Sequence, residues 1–271
     1  MTPSRIGVIG AGRMGAPMVR RLVAAGHEVR VLGRSAPARR RVADFGAEAV
    51  SFPAAVGTGA AAVVVCVFTD DQVHEICFDT PLLASMPRGS VLVVHTTGSP
   101  RTVEAVAEHA APQGVLVVDA PVSGGPRDIE AGTLTVFLGG DDAAVERARP
   151  VLRGYGDPLL HVGPLGSGQR VKLVNNVLFA AQLGLVAEAV RLSERLGVEE
   201  ATVLSALRHA SAGGPATARA AAKGSVAEFL AVAGEFLVKD VASARALAAE
   251  LGTDLGPLDR ALDAWLPEPQ P

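Results

Sequence analysis

Residues 6–15 read Ile-Gly-Val-Ile-Gly-Ala-Gly-Arg-Met-Gly, an apolar run that ends in glycines spaced as Gly10-x-Gly12-x-x-Gly15 and continues into a helical pattern over 13–25. A glycine-rich turn alone occurs in ordinary βα units. Here a strand, the glycines, a helix and a second strand arrive in order, which is the context a dinucleotide site requires. The first glycine makes the tight turn, the second lets backbone approach a pyrophosphate, and the third permits close packing of helix on sheet. The anion then meets free N–H groups and the positive end of the helix dipole. Arg13 and Met14 lie inside this turn and count with Gly10, Gly12 and Gly15 as candidate cofactor residues.

The second strand, Glu-Val-Arg-Val-Leu, ends at Gly33-Arg34-Ser35. A unit that binds NAD ordinarily places an Asp or Glu here to hold the ribose 2′-hydroxyl. This chain offers space at Gly33, a guanidinium at Arg34 and a hydroxyl at Ser35, a combination suited to a 2′-phosphate. NADP(H) is therefore expected in preference to NAD(H), with Arg39 and Arg40 adding positive field.

Short Val-rich runs recur at 6–9, 29–32, 61–68, 91–94, 115–118 and 134–140, with helical patterns at 37–46, 70–77 and 100–111 between them. Such alternation predicts a parallel sheet with helices on both faces, and the near-continuous Val predicts strands buried on both sides. Beyond Gly166 the strand signals stop. Val171, Val174, Leu178, Leu185 and Leu192 then recur at helical spacing, predicting one long helix over 168–197, roughly 40 Å if continuous. Further helices are expected at 199–209, 235–251 and shortly before Pro267, with 267–271 a frayed tail. The fold class expected is α/β: an N-terminal Rossmann doubly wound sheet over 1–164, followed by an all-helical domain over 165–271 that carries substrate contacts and dimerisation.

The chain has 271 residues, 25 Lys plus Arg against 28 Asp plus Glu, and a formal charge of -3, which argues against a nucleic-acid or membrane partner recognised by bulk charge. Cys66 and Cys77 make neither a disulfide framework nor a zinc site, and Cys66 reads as a small buried hydrophobe. The six histidines are scattered without metal-ligand spacing, so no metal is expected, and His95 beside Thr96 is not read as catalytic. The N-terminal apolar run is too short for a signal peptide, and the apolar run 177–190 reads as a buried helix too short to span a bilayer. A cytoplasmic protein is expected.

Asp119-Ala-Pro-Val-Ser123-Gly124-Gly125 follows a strand signal, and a Ser-Gly-Gly turn there can present a hydroxyl and backbone N–H groups to a carboxylate. Gly163-Pro-Leu-Gly166-Ser-Gly168-Gln-Arg-Val-Lys172-Leu-Val-Asn175-Asn176 opens the long helix, where Lys172 and Asn176 share a face. A lone helical Lys is ordinarily a solvated charge, but Lys172 is flanked by Val171, Leu173 and Val174.

These stretches, with the glycine turn and Phe-Leu-Val-Lys239-Asp at 236–240, resemble in that order the β-hydroxyacid dehydrogenase family. That family includes 3-hydroxyisobutyrate dehydrogenases and tartronate, glyoxylate and succinic semialdehyde reductases, and the resemblance covers nearly the whole chain. It implies a 6-phosphogluconate dehydrogenase-like fold with the active site in the cleft between the domains. By matching positions, it implies Lys172 as the catalytic lysine and Asn176 as its partner, with Ser123, Gly124 and Gly125 on the substrate carboxylate. It also implies cofactor contacts at Phe68, Thr69, Thr97 and Lys239. The chain departs from the family where Val94 replaces a frequent Asp and where 211–224 is poor in aromatics, which leaves the substrate open.

The chemistry is also reasonable on physical grounds. Hydride transfer to a carbonyl carbon needs a proton donor at the oxygen, and a lysine ammonium supplies one; the neutral amine serves the reverse direction. Two other readings stand beside a β-hydroxyacid dehydrogenase acting on a small carboxylate. One is an imine reductase of the same architecture, against which Lys172 argues; the other is a catalytically silent NADP-binding module. The length of the apolar helix predicts a homodimer or homotetramer through the helical domains.

Overall fold

The computed structural model describes residues 3–265. The chain separates into two compact units, 1–172 and 173–271, so the division falls inside a helix, eight residues past the expected boundary at 164/165.

In the first unit, β1 (Arg5–Ile9), β2 (Glu28–Leu32), β3 (Glu48–Val50), β4 (Ala62–Val65), β5 (Val91–Val94), β6 (Leu116–Asp119), β7 (Val122–Ser123), β8 (Leu134–Gly139) and β9 (Gly156–Gly163) form one sheet. Their order is β3-β2-β1-β4-β5-β6-β8-β7, with β9 beside β8. The order reverses between β1 and β4, which pair in parallel with Ile9 opposite Val65. In an open α/β sheet, the crevice beyond such a reversal is where ligands bind. Every residue of β4 and β5 is buried. Val8, Val31, Val64 and Val93 pack into one core, while Ile9, Val63, Val65 and Leu92 pack into another. Successive side chains of a strand point to opposite faces, so these two cores are the covered faces of a doubly wound sheet.

The sheet is not parallel throughout, as the alternation suggested. β8 runs antiparallel to both β6 and β7. Residues 124–133, which include the helix Pro126–Ala131, return the chain after β7, so Val122 and Ser123 pair with Val136 and Thr135 of the returning strand. β3, β7 and β9 lie outside the Val-rich pattern: two are very short, and β9 pairs with β8 and is half exposed. Residues 142–152 form a helix capped by Asp141, which accepts from the Ala144 N–H.

The long helix spans Ser167–Arg195. By length and composition it could cross a membrane, unlike the shorter run considered above, yet half of its most apolar stretch is buried, as in a core helix. In the second unit, Leu173, Val177, Ala180 and Ala181 of this helix pack against Val241, Ala244 and Leu262. The stripe that announced the helix faces outward instead: Val174, Leu178, Leu185 and Leu192 are 68%, 46%, 61% and 57% exposed. The helix Val226–Glu250 starts nine residues earlier than its pattern suggested, because Ser225 caps it by accepting from the Glu228 N–H. Helices Glu200–Leu207, Pro215–Lys223 and Pro257–Leu262 complete the unit. The expected tail 267–271 lies outside the described residues.

Candidate active site

The carboxyl ends of the first unit's strands carry most of the residues singled out in the sequence. After β1, Gly10 takes φ +100, and a Cβ there would lie 2.1 Å from the Cys66 carbonyl oxygen. A Cβ at Gly15 would stand 1.9 Å from the Gly10 carbonyl oxygen, whereas one at Gly12 would meet nothing within 4 Å. So Gly10 and Gly15 fold the turn tightly and Gly12 leaves open space on its outer side. Arg13 is exposed, Met14 half-buried, and the helix Gly15–Ala24 starts with no acidic residue in its first turn. The residues present fit a dinucleotide pyrophosphate.

Beyond β2, Arg34 is exposed and stands 3.7 Å from Glu75. Ser35 caps the helix Ala36–Asp44 by accepting from the Ala38 N–H. The Arg39 side chain folds over Gly33 and donates to its carbonyl at 3.1 Å, which fills the space expected at Gly33. Beyond β4, Phe68 and Thr69 donate their N–H groups to the Gln72 side chain, and Thr69 caps the helix Asp70–Phe78. Thr96 ties the next loop to this one: its hydroxyl accepts from the Val67 N–H and donates to the Val67 carbonyl. Thr97 follows, half-buried.

Ser123 lies in β7 and is half-buried rather than free in a turn. Gly124 takes φ +133, where a Cβ would strike Asp128 and Leu134 at 2.8 and 2.9 Å. The Gly125 N–H donates to the Asp128 carboxylate at 2.6 Å. Directly after β5, His95 donates from Nδ1 to the Ala120 carbonyl at 2.5 Å, and its Nε2 accepts from the Tyr155 hydroxyl at 2.7 Å. Burial pushes the His95 pKa down to about 4, so the ring is neutral at physiological pH.

The first turn of the long helix rests on the sheet. The fully buried Asp119 carboxylate, at the end of β6, accepts from the Gly166 and Gln169 N–H groups, each at 2.7 Å. Burial raises its pKa, and those two N–H groups work against the rise. Lys172 follows one turn later and is buried, 9% exposed. A lysine this buried is uncommon.

In the second unit, Asn176 is buried; its amide oxygen accepts from Asn175, and its amide nitrogen donates to Asp240. The other oxygen of Asp240 pairs with Lys239 at 2.7 Å. Asp240 thus joins two residues the motifs had named separately. Its signal was adjacency to Lys239 alone. Asp119, Gln169 and Tyr155 were missed because their partners are distant in the chain: 47, 73 and 60 residues away.

The chain is similar along its length to known proteins. The family model for the NAD binding domain of 6-phosphogluconate dehydrogenase matches residues 5–163, and that for the NAD-binding domain of NADP-dependent 3-hydroxyisobutyrate dehydrogenase matches 166–265. A 3-hydroxyisobutyrate dehydrogenase of Pseudomonas aeruginosa is 34% identical over 209 residues, covering 77% of this chain and 70% of that protein. An NAD-dependent L-serine dehydrogenase of the same organism is 35% identical over 211 residues, covering 78% and 70%. The solved structure of the Mycobacterium tuberculosis 3-hydroxyisobutyrate dehydrogenase with L-serine superposes with a TM-score of 0.84 at 28% identity, covering 97% of this chain and 92% of that one. A Streptomyces aurantiacus imine reductase shares the fold, with a TM-score of 0.69 at 20% identity over 96% and 92% of the two chains.

Proposed function

The chain belongs to the β-hydroxyacid dehydrogenase family and is an oxidoreductase with a nicotinamide-binding domain, and from that premise we propose that it interconverts a small β-hydroxyacid and its semialdehyde using NADP(H). The observation that carries this reading is Lys172, a lysine 9% exposed near the head of a helix whose first N–H groups are held by Asp119 of the sheet. When bound, the nicotinamide supplies or accepts the hydride. Lys172, as an ammonium, donates the proton to the carbonyl oxygen in reduction; as an amine, it takes that proton back in oxidation. Ser123 and the Gly124 backbone hold the substrate carboxylate, with Gly125, whose N–H is taken by Asp128, completing the turn, and Asn176, one turn beyond Lys172, orients the reacting oxygen.

Gly10, Gly12, Arg13, Met14 and Gly15 hold the pyrophosphate, while Phe68, Thr69, Thr97 and Lys239 complete the cofactor contacts. Arg34 and Ser35 hold the 2′-phosphate, since no carboxylate stands at Gly33-Arg34-Ser35 to hold a free ribose hydroxyl. The domains divide at 164/165 in this reading, and the protein acts in the cytoplasm. The exposed stripe Val174, Leu178, Leu185 and Leu192 is covered by a second copy, giving a homodimer or a tetramer built from it.

The test is NADPH consumption by wild type and Lys172→Ala with glyoxylate, succinic semialdehyde and methylmalonate semialdehyde offered separately. Activity with at least one aldehyde that falls about a hundredfold or more in the variant supports the reading, since that loss is roughly 3 kcal/mol of transition-state stabilisation. Wild type that binds NADPH and reduces none of them overturns it.

A further inference from the structure

We propose that Gln169 and Asp119 are positioning residues that set where the Lys172 amine stands, an inference that rests on the general acid/base role of Lys172. A helix begins with four N–H groups that lack intrahelical partners, and these are ordinarily satisfied by a side chain just before the helix or by water. Here a carboxylate from a strand 47 residues away takes two N–H groups at the start of the helix, from Gly166 and Gln169. The helix is thereby registered against the sheet rather than against its own preceding loop.

Gln169 adds a second anchor. Its Nε2 donates to the Thr96 carbonyl at 2.8 Å, and its Oε1 accepts from the Gly98 N–H at 3.1 Å, so both ends of the amide are used. The side chain is 1% exposed. Thr96 in turn is tied through its hydroxyl to Val67, next to Phe68 and Thr69. A continuous path of hydrogen bonds therefore runs from the loop after β4 to the residue three positions before Lys172.

Close packing makes the anchor stiff. A Cβ on Gly168 would lie 2.6 Å from the Phe137 carbonyl oxygen and 2.7 Å from the Asp119 carboxylate, and one on Gly139 would lie 2.2 Å from the same carboxylate. The first turn thus touches the ends of β6 and β8 and the loop after β5, three points that fix a rigid body. A proton donor displaced by about 1 Å costs on the order of a hundredfold in rate, which is the scale on which such an anchor matters.

The experiment compares wild type with Gln169→Leu and Asp119→Asn. The leucine keeps the volume and loses both hydrogen bonds; the asparagine keeps the shape and turns one acceptor into a donor facing an N–H. For each, kcat is expected to fall roughly 30-fold or more, with KM and the NADPH Kd changed less than about threefold. Acylation of the Lys172 amine, read by mass spectrometry, and hydrogen exchange of amides 168–173 are both expected to quicken about tenfold or more. These last two readouts need no substrate. If wild type turns over no aldehyde, the functional reading fails while they still decide the anchor. A variant that folds and keeps wild-type kcat, or one in which Lys172 reactivity and local exchange stay unchanged, overturns the inference. Should Gln169→Leu not fold, Asp119→Asn carries the same measurements.

Discussion

The side-chain amide of Asn176 donates to the carboxylate of Asp240, 64 residues further along the chain, and Asp240 also pairs with Lys239. Both Asn176 and Asp240 are buried, so the carboxylate fixes which end of the amide points where. Asp240→Leu leaves the Asn176 amide nitrogen without this acceptor and is expected to cost about 1–3 kcal/mol of stability. The kcat/KM for the best aldehyde is expected to fall roughly 10- to 100-fold. Asp240→Asn, which keeps one acceptor oxygen, is expected to fall between that variant and wild type; denaturant melts and initial rates on the three proteins check both statements.

Two glycines of the first turn, Gly12 and Gly15, are expected to fail in different ways. At Gly12 a methyl group meets no protein atom, so Gly12→Ala folds with a stability change under about 1 kcal/mol, yet it obstructs the pyrophosphate and raises the NADPH Kd. At Gly15 the same methyl lies 1.9 Å from a carbonyl oxygen, so Gly15→Ala loses stability, about 1–3 kcal/mol, before binding is considered. Thermal melts without cofactor, run beside fluorescence titration with NADPH, separate the two.

Arg34 bears on cofactor choice. Arg34→Ala is expected to raise the NADPH Kd roughly 10- to 100-fold, the worth of a charge-assisted hydrogen bond of about 1.5–3 kcal/mol. The NADH Kd is expected to stay within about twofold, because the lost partner is a phosphate that NADH lacks. Equal losses for both cofactors would place Arg34 on another part of the nucleotide.

Stability should depend on His95 below neutral pH. Its pKa falls from an ordinary 6.5 to about 4 on folding, so between those values the unfolded chain binds the extra proton. The stabilisation is complete above about pH 6.5 and is lost as pH drops toward 4, by roughly 3 kcal/mol in total. Asp119, whose pKa burial raises, acts in the opposite sense as its carboxyl protonates. The share of His95 is therefore the difference in slope between wild type and His95→Gln in denaturant melts from pH 4 to 7, with the variant expected to be flatter.

The outward stripe offers a direct test of assembly. Leu185 and Leu192 are 61% and 57% exposed, seven residues apart on one helix face. Leu185→Glu with Leu192→Glu is expected to turn a dimer into a monomer by light scattering at micromolar concentration. A wild-type monomer would leave that stripe as ordinary surface.

Some of this was legible before any folding was considered. The glycine turn, the Val-rich central strands and the change to helices after Gly166 depend on local backbone freedom and periodicity, which a short window of sequence carries. The same is true of Lys172 and Asn176, whose shared face follows from helical spacing alone. Other features depended on what lay across the fold. The stripe Val174, Leu178, Leu185 and Leu192 announced the helix but not its environment, because periodicity tells that a helix is two-sided but not which side its neighbours cover. The opposite face, with Leu173, Val177 and Ala180, is the one that packs inside the second unit. β8 runs antiparallel because a two-residue strand and the short helix Pro126–Ala131 reverse the chain before it, elements too short to leave a pattern. Asp119, Gln169, His95 and Asp240 are polar residues whose roles come from partners many positions away. Sequence determines local geometry through sterics and spacing; which polar groups meet in the interior is decided only when the chain closes, because a buried donor must find its acceptor wherever the fold brings one.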